Sequence, residues 1–270
     1  MTTFLFWNLN SKPLESMVAT LALNHDVDIL MLVECNILPA TMLQTLNSIE
    51  KTQYYFTRSN CEKVVIYTKF SPEFLQRVLE TNRLTIRKLS LPGLTPILLA
   101  VTHFQSKRNW SAGSQAMEVP VLSKHILKAE EEVQHSRTIL VGDLNMNPFE
   151  TGLVSASGLN AVMTREIALR GSRTVDGNNY PFFYNPMWGH FGDADENPPG
   201  TYYYGGSEHE TFFWNIFDQV LLRPELVDVF QNESLKILST DGANSFLSKH
   251  GLPDHSVASD HLPIIFKLNL

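Results

Sequence analysis

The chain has 270 residues, of which 43% are hydrophobic and 18% charged, and its formal net charge is −7. That size and apolar content exclude a disordered chain and allow a large core, and layered α/β folds reach this length as one domain, so 1–270 reads as a single unit. The acidic balance excludes a basic tail that coats nucleic acid indiscriminately, although a local basic patch or a bound cation can offset it.

In chain order, "TFLFW" (3–7) predicts a buried strand and "PLESMVATLALNH" (13–25) a helix with Pro13 in its first turn. "VDILMLVE" (27–34), "KVVIYTK" (63–69), "RLTIRKLSL" (83–91) and "TPILLAVTH" (95–103) read as strands. From about 112 to 135, Met117, Val121, Leu122, Ile126, Leu127 and Val133 recur at mostly helical intervals, and "EEE" (130–132) reads as a solvated face. "TILVGD" (138–143), "FDQVLLR" (217–223) and "LPIIFKL" (262–268) complete the strands. This order predicts an α/β fold of packed sheets flanked by helices. Residues 171–216, rich in Gly, Pro, Asn and aromatics, read as long ordered loops.

No stretch approaches the ~20 apolar residues of a membrane span. The opening "MTTFLFWNLNSK" lacks the basic region and long apolar run of a secretory signal. Cys35 and Cys61 lack metal-site spacing and read as reduced thiols, which points to a cytoplasmic protein.

The apolar strands share a habit: they end or begin in oxygens and imidazoles. "FLFWNLN" ends with Asn8 and Asn10, whose spacing would put both side chains on one side of an extended chain. "DILMLVE" ends with Glu34, "ILLAVTHFQS" delivers His103 and Ser106, and "TILVGDLN" delivers Asp143 and Asn145. "FDQVLL" opens with Asp218, and "SDHLPIIFKL" with Asp260 and His261. Singly, such residues are ordinary turn formers or satisfied histidines. If the strand ends converge, they make a cleft of hard oxygen donors suited to Mg²⁺ or Mn²⁺, with two imidazoles beside it. Such a set meets the needs of phosphate-ester hydrolysis: cationic groups for the phosphoryl oxygens, a carboxylate for the attacking water, and a hydrogen-bonded histidine. A serine-hydrolase reading lacks a G-x-S-x-G elbow.

Taken together and in this order, "WNLN" (7–10), "LVE" (32–34), "THFQS" (102–106), "GDLNMNP" (142–148), "FDQVLL" (217–222) and "SDHLPI" (259–264) resemble the endonuclease/exonuclease/phosphatase superfamily of DNase-like phosphodiesterases. The resemblance implies a four-layer α/β sandwich, two packed mixed sheets flanked by helices, with its active site at one sheet edge. It implies that Glu34 is the principal Mg²⁺ (or Mn²⁺) ligand with Asn8 beside it, and that Asp260 joins the metal shell or orients His261. Asp143 would position or deprotonate the water, Asn145 would hold the phosphate, and His261, paired with Asp218, would act as base or transition-state stabiliser. His103 would bind a phosphoryl oxygen or act near the leaving group, supported by Ser106, and Asn10 would lie on the substrate side. "WNLN" is similar to the exonuclease III and abasic-endonuclease branch, whereas "THFQSK" is similar to branches containing DNase-type nucleases, tyrosyl-DNA phosphodiesterases and sphingomyelinases. The resemblance therefore names a chemistry rather than a substrate.

The aromatics of "NNYPFFYNPMWGHFGD" (178–193) and "PPGTYYYGG" (198–206) read either as a stacking surface for bases or as a local core ordering the loop. Tyr202 and Tyr203 are the first candidates for touching substrate. Lys107 and Arg108 read as contacts to flanking phosphates or as plain surface. The leading expectation is a metal-dependent phosphodiesterase acting on nucleic acid, with no membrane and no protein partner implied. A phosphodiesterase or phosphatase for lipid head groups or inositol phosphates is the second reading, and an inactive binding module the third.

Overall fold

The computed structural model describes residues 1–48, 53–108, 110–192 and 198–270. The first part runs β1 (Thr2–Asn8), α1 (Glu15–Asn24), β2 (Ile29–Val33), α2 (Pro39–Leu46), β3 (Tyr55–Thr57) and β4 (Val64–Thr68). Next come β5 (Leu75–Glu80), β6 (Leu84–Leu89), β7 (Ile97–His103), α3 (Ala112–Val133) and β8 (Thr138–Asp143). A run of short elements follows: α4 (Thr151–Val154), β9 (Ala161–Val162), α5 (Arg165–Ala168), β10 (Ser172–Val175), β11 (Asn178–Pro181) and β12 (Phe183–Tyr184). The chain closes with β13 (Tyr202–Tyr204), β14 (Phe213–Asn215), β15 (Asp218–Leu222), β16 (Phe230–Ile237) and β17 (Ile264–Leu268).

These strands form a six-stranded sheet in the order β16-β17-β1-β2-β4-β3 and a seven-stranded sheet in the order β5-β6-β7-β8-β15-β12-β9. Both are mixed, because β1 runs parallel to β2 and β7 to β8 within otherwise mostly antiparallel ladders. The pleat assigns alternate residues to two cores. Leu99, Val101, Ile139 and Val141 face the interior between the sheets, whereas Leu98, Ala100 and Leu140 face α3. With α1 packed on the other sheet, the result is the sandwich of two sheets between helical layers. Among the described residues, no helix is long and apolar enough to cross a membrane, and Cys35 and Cys61 are unbonded.

Gly142 shows why the strand β8 carries no side chain one residue before its end. A Cβ there would stand 2.0 Å from the Thr102 carbonyl oxygen of the neighbouring parallel strand. Gly142→Ala is expected to cost about 3 kcal/mol or more, because backbone must move to admit the methyl. Urea unfolding of the variant checks this; a midpoint matching wild type would refute it.

Several expectations need correction. The buried stripe of α3 is Val119, Leu122, Ile126 and Ala129, while Met117 is 82% exposed and Val121 is also exposed. Polar residues bracket that stripe. Gln115 donates to the carbonyls of Gln105 (2.6 Å) and Asn145 (3.2 Å). Glu130, expected on a solvated face, is buried and pairs with Arg223 through two contacts of 2.9 and 3.2 Å. Hydrogen bonds, which hydropathy does not encode, add Gln115 and Glu130 to the apolar buried face. The region 171–216 is not a plain loop: β10 and β11 form a hairpin across Asp176-Gly177, both at positive φ, as an Asp-Gly turn favours, and β13 pairs with β14. Positions 193–197 of that region lie outside the described residues.

Candidate active site

The site is built where strands of both sheets end. Asn8 closes β1 opposite Val33, which places Glu34 in the next position of β2's exit. In the other sheet His103, the last residue of β7, pairs with Asp143, the last of β8, and Asp218, the first of β15, pairs with Asp143 from the other side. His261 arrives just before β17 and is tied down by its neighbours. Trp7 Nε1 donates to the His261 carbonyl at 2.8 Å, and the Ser259 hydroxyl donates to the Asn8 carbonyl at 2.7 Å while accepting the His261 N–H at 3.1 Å. Thr201 Oγ1 accepts the Phe217 and Asp218 N–H groups, both at 3.1 Å. Sequence reading missed Trp7 and Thr201 as supports: one looks like core, the other like loop.

The side chains form one connected series. His261 Nδ1 bonds Asp218 Oδ2 at 2.8 Å, and His261 Nε2 lies 4.0 Å from Asp143 Oδ2. Asn8 Nδ2 donates to Asp143 Oδ2 at 3.0 Å and to Glu34 Oε1 at 3.3 Å. His103 Nε2 stands 3.3 Å from Glu34 Oε1 and 3.8 Å from Asp143 Oδ2. Glu34 and His261, far apart in the chain, thus share one cluster. Asp260 is half-buried beside it, 3.4 Å from the Ser259 hydroxyl. The Tyr202 ring packs on the His261 imidazole with centroids 4.7 Å apart, and its other neighbour is Phe217 at 5.3 Å.

Other expected residues stand differently. The strands end before Asn10 and Asn145, both of which take positive φ, so neither pair shares one side of an extended chain. Instead Asn8 Oδ1 accepts the Asn10 N–H and Asp143 Oδ1 the Asn145 N–H, each at 2.9 Å, the same side-chain turn in both sheets. Asn145 Nδ2 donates to the Phe104 carbonyl at 3.0 Å. Ser106 is exposed and accepts the Arg108 N–H at 3.2 Å. Tyr203 turns away from His261 to pack on Trp214 (5.5 Å) and Phe213 (6.3 Å). Lys107 pairs with Glu150 and lies 5.4 Å over the Phe217 ring. Phe149, Trp188, Phe191 and Phe212 pack against one another at 5.1–6.3 Å, yet Phe212 remains 55% exposed, so this group is a local core with an open rim.

Charge follows from this packing. The His103 imidazole, hydrogen-bonded to Glu34 and helped by Asn8, holds that carboxyl down at about 2 against the cost of burial. Asp143 is pushed up, chiefly by burial. Burial also opposes a charge on His261, but Asp218, Asp143 and Asp260 outweigh it and lift the imidazole to about 10. One acid stays ionised, one is driven towards its neutral form, and one imidazole is held protonated.

The donor chemistry fits a hard divalent cation. Glu34 is ionised and its side chain is 35% exposed, and carboxylate and amide oxygens dominate the cluster. Asp143, Asp218 and His261 present ligand atoms within 4.8 Å of one another. Asp218 Oδ1 is buried without a hydrogen-bond partner among the described residues. His261 Nδ1 is already engaged by Asp218, so the more open Glu34 side is the better seat for an ion.

The Endonuclease/Exonuclease/phosphatase family matches residues 5–261. Similar solved structures include the 3′ phosphatase NExo from Neisseria bound to product DNA hairpin (16% identity, TM-score 0.58) and an AP endonuclease from Archaeoglobus fulgidus (15%, 0.57). Each covers 100% of this chain and is itself covered over 100% of its length. Truncated Caenorhabditis elegans TDP2 is 17% identical with a TM-score of 0.57, covering 98% of this chain and 97% of its own. At such identities the likeness establishes the fold. No curated protein matches the chain.

Proposed function

This chain belongs to the endonuclease/exonuclease/phosphatase family, and from that footing we propose that it is a divalent-metal-dependent phosphodiesterase that hydrolyses nucleic acid. The observation that carries the reading is the connected series Asp218–His261–Asp143–Asn8–Glu34, contributed by the ends of both sheets. A binding module has no need of a buried acid and a buried imidazole 4.0 Å apart, both raised in proton affinity.

Glu34, with Asn8 and Asp260, would hold the cation, which when bound supplies positive charge to the phosphoryl oxygens. Asp143 orients the attacking water and takes its proton as the new oxygen–phosphorus bond forms; the leaving oxygen departs with the bonding pair and takes a proton from solvent. Burial raises the basicity of Asp143, which suits it to that task, and Asn8 and the Asn145 N–H fix its two oxygens. His261, held as imidazolium by Asp218, stabilises charge on the phosphoryl oxygens rather than accepting a proton. The second amide hydrogen of Asn145, whose first is held by the Phe104 carbonyl, and the His103 Nε2–H, turned from Glu34, would donate to the remaining oxygens. Tyr202 braces His261, and the Phe149–Phe212 rim offers stacking area for bases.

Two lines support nucleic acid as the substrate class. The Neisseria 3′ phosphatase structure is bound to product DNA hairpin, and the TRAS1 endonuclease domain comes from a telomere-specific non-LTR retrotransposon. The partly exposed aromatic cluster around Phe149 and Phe212 matches a substrate with flat bases. At least one of labelled single- or double-stranded DNA or RNA should be cut with Mg²⁺ or Mn²⁺ present, and EDTA should abolish cutting. Cleavage restricted to phospholipid or inositol phosphate would overturn the reading. Metal affinity offers a readout without turnover: Mn²⁺ should raise the melting temperature of wild type and fail to raise that of Glu34→Gln, since the mutation removes the ionised oxygen. An equal shift in both proteins would remove Glu34 from the metal site.

A further inference from the structure

A concavity of about 400 Å³ opens on the flank of the molecule, walled by Phe56, Arg58, Ser59, Asn60 and Arg77. It lies where outermost strands of the two sheets meet, β3 edging one sheet and β5 the other. The 58–61 loop leaves β3 at the end that carries the candidate site, because Val64, which opens β4, pairs with Val33, the residue before Glu34.

The floor is heavily built. Arg87, 4% exposed, is ion-paired with Glu80 and donates to the Arg58 carbonyl at 2.8 Å. Glu80 also accepts the Ser59 hydroxyl at 2.6 Å, the Asn60 N–H at 3.0 Å and the Thr85 hydroxyl at 3.1 Å. The Cys61 thiol donates to the Asn82 carbonyl at 3.4 Å. This stitching fixes the backbone of Arg58 while its side chain stays exposed.

The charge is left unbalanced. Glu80 is already engaged by four groups, and Arg77 reaches it only at 3.7 Å with 58% of its side chain exposed. Arg58 has no ion-pair partner among the described residues. Two guanidiniums share the Glu80 carboxylate and a third, that of Arg58, pairs with none, a local surplus of positive charge in a chain of net charge −7; the adjacent Glu62 and Lys63 cancel. Two guanidiniums beside an amide and an aromatic ring form a setting for a phosphate oxyanion. β3 lies two strands outward from β2, which leads into Glu34, and β5 two strands outward from β7, which ends in His103. At the usual spacing between strands, that is roughly 10 Å from Glu34 and His103 and roughly 14 Å from Asn8 and Asp143, one strand further in, or about three to four nucleotides of a helical strand.

We propose that this concavity is a phosphate subsite in which Arg58 and Arg77 grip the backbone of a nucleic-acid strand about three to four nucleotides from the scissile bond. The proposal rests on the nuclease reading above and extends it from a lone phosphodiester to a polymer. A free phosphate ion shares the chemistry, so the test separates the two.

Binding of a fluorescent single strand of about a dozen nucleotides is measured by anisotropy in EDTA, for wild type, Arg58→Ala, Arg77→Ala and the double variant. Both side chains are exposed, so the variants should fold. The double variant should bind about tenfold more weakly, with a salt dependence shallower by roughly 1.4, two contacts at about 0.7 each. With divalent cation present, its KM for the long strand should rise by the same factor, with kcat unchanged and with no change in KM for a dinucleotide. Unchanged affinity and salt slope would overturn the subsite. So would binding of inorganic phosphate that depends on the two arginines while strand binding does not. A protein that cleaves no nucleic acid yet loses strand binding with the arginines would sink the nuclease reading and uphold the subsite.

Discussion

Asp143→Asn is expected to lower kcat by about 10²- to 10⁴-fold, the span a positioned acid–base supplies, with little net change in melting temperature. The two halves of this expectation come from one fact. Asp143 is buried, and burial pushes its proton affinity up, so the ionised form that accepts a proton is also the form the fold disfavours. A carboxyl raised above its unfolded value costs stability once pH exceeds both values, and the neutral amide removes that cost. Asparagine keeps the shape but only one oxygen, so it accepts from Asn8 or from the Asn145 N–H and gives up the other bond, a loss that offsets the relieved cost of burial. It cannot take the proton from water. Steady-state kinetics with a labelled strand and a thermal melt check both halves. A variant that retains wild-type kcat would remove Asp143 from proton transfer, and a variant that melts several degrees lower would show that the lost bond and charge outweigh the relieved burial.

Asp218→Asn is expected to cost a similar factor in kcat through a different route. The mutation takes away the carboxylate that holds His261 at 2.8 Å and that does most to lift its pKa to about 10. His261 should then titrate well below 10 in the metal-free protein, read from the imidazole ring protons by NMR. The linkage has a definite sign. A histidine raised above its unfolded value of about 6.5 contributes stability that is complete below that pH and is lost as pH rises through about 10. Wild type in EDTA should therefore lose thermal stability between about pH 6.5 and 10, and Asp218→Asn should lose less over that window. His261→Ala should abolish the His261 contribution to that slope and cut kcat comparably. Titration of His261 near 6.5 in wild type would refute the imidazolium assignment and return the histidine to the role of base.

These effects sit on residues that the primary structure already exposed. Runs such as "TILVGD" and "ILLAVTH" announce buried strands because both faces of a central strand are covered, and their apolar character stops abruptly at Asp143 and His103. The ordered motifs from "WNLN" to "SDHLPI" were enough to name the family later matched over residues 5–261. The sheet edges were not legible. β3, β5, β9 and β16 all lie at the margins of the two sheets, where a half-covered strand such as "LQRVLE" needs no apolar alternation. The face of α3 was also misread, since Gln115 and Glu130 are drawn inward by hydrogen bonds that hydropathy does not encode.

The amino-acid sequence by itself determined the kinds of groups available and the strand ends that carry them, because burial demands apolar runs and tolerates oxygens only where the run stops. Only the tertiary structure decided which of those groups meet. Register in two separate sheets brings Asn8 to Asp143 and Asp218 to His261 over separations of 135 and 43 residues, and proton affinities follow from that meeting and from burial, neither of which a local stretch of chain contains. The Arg58–Arg77 flank belongs to the same class: it exists because two edge strands from different sheets lie side by side.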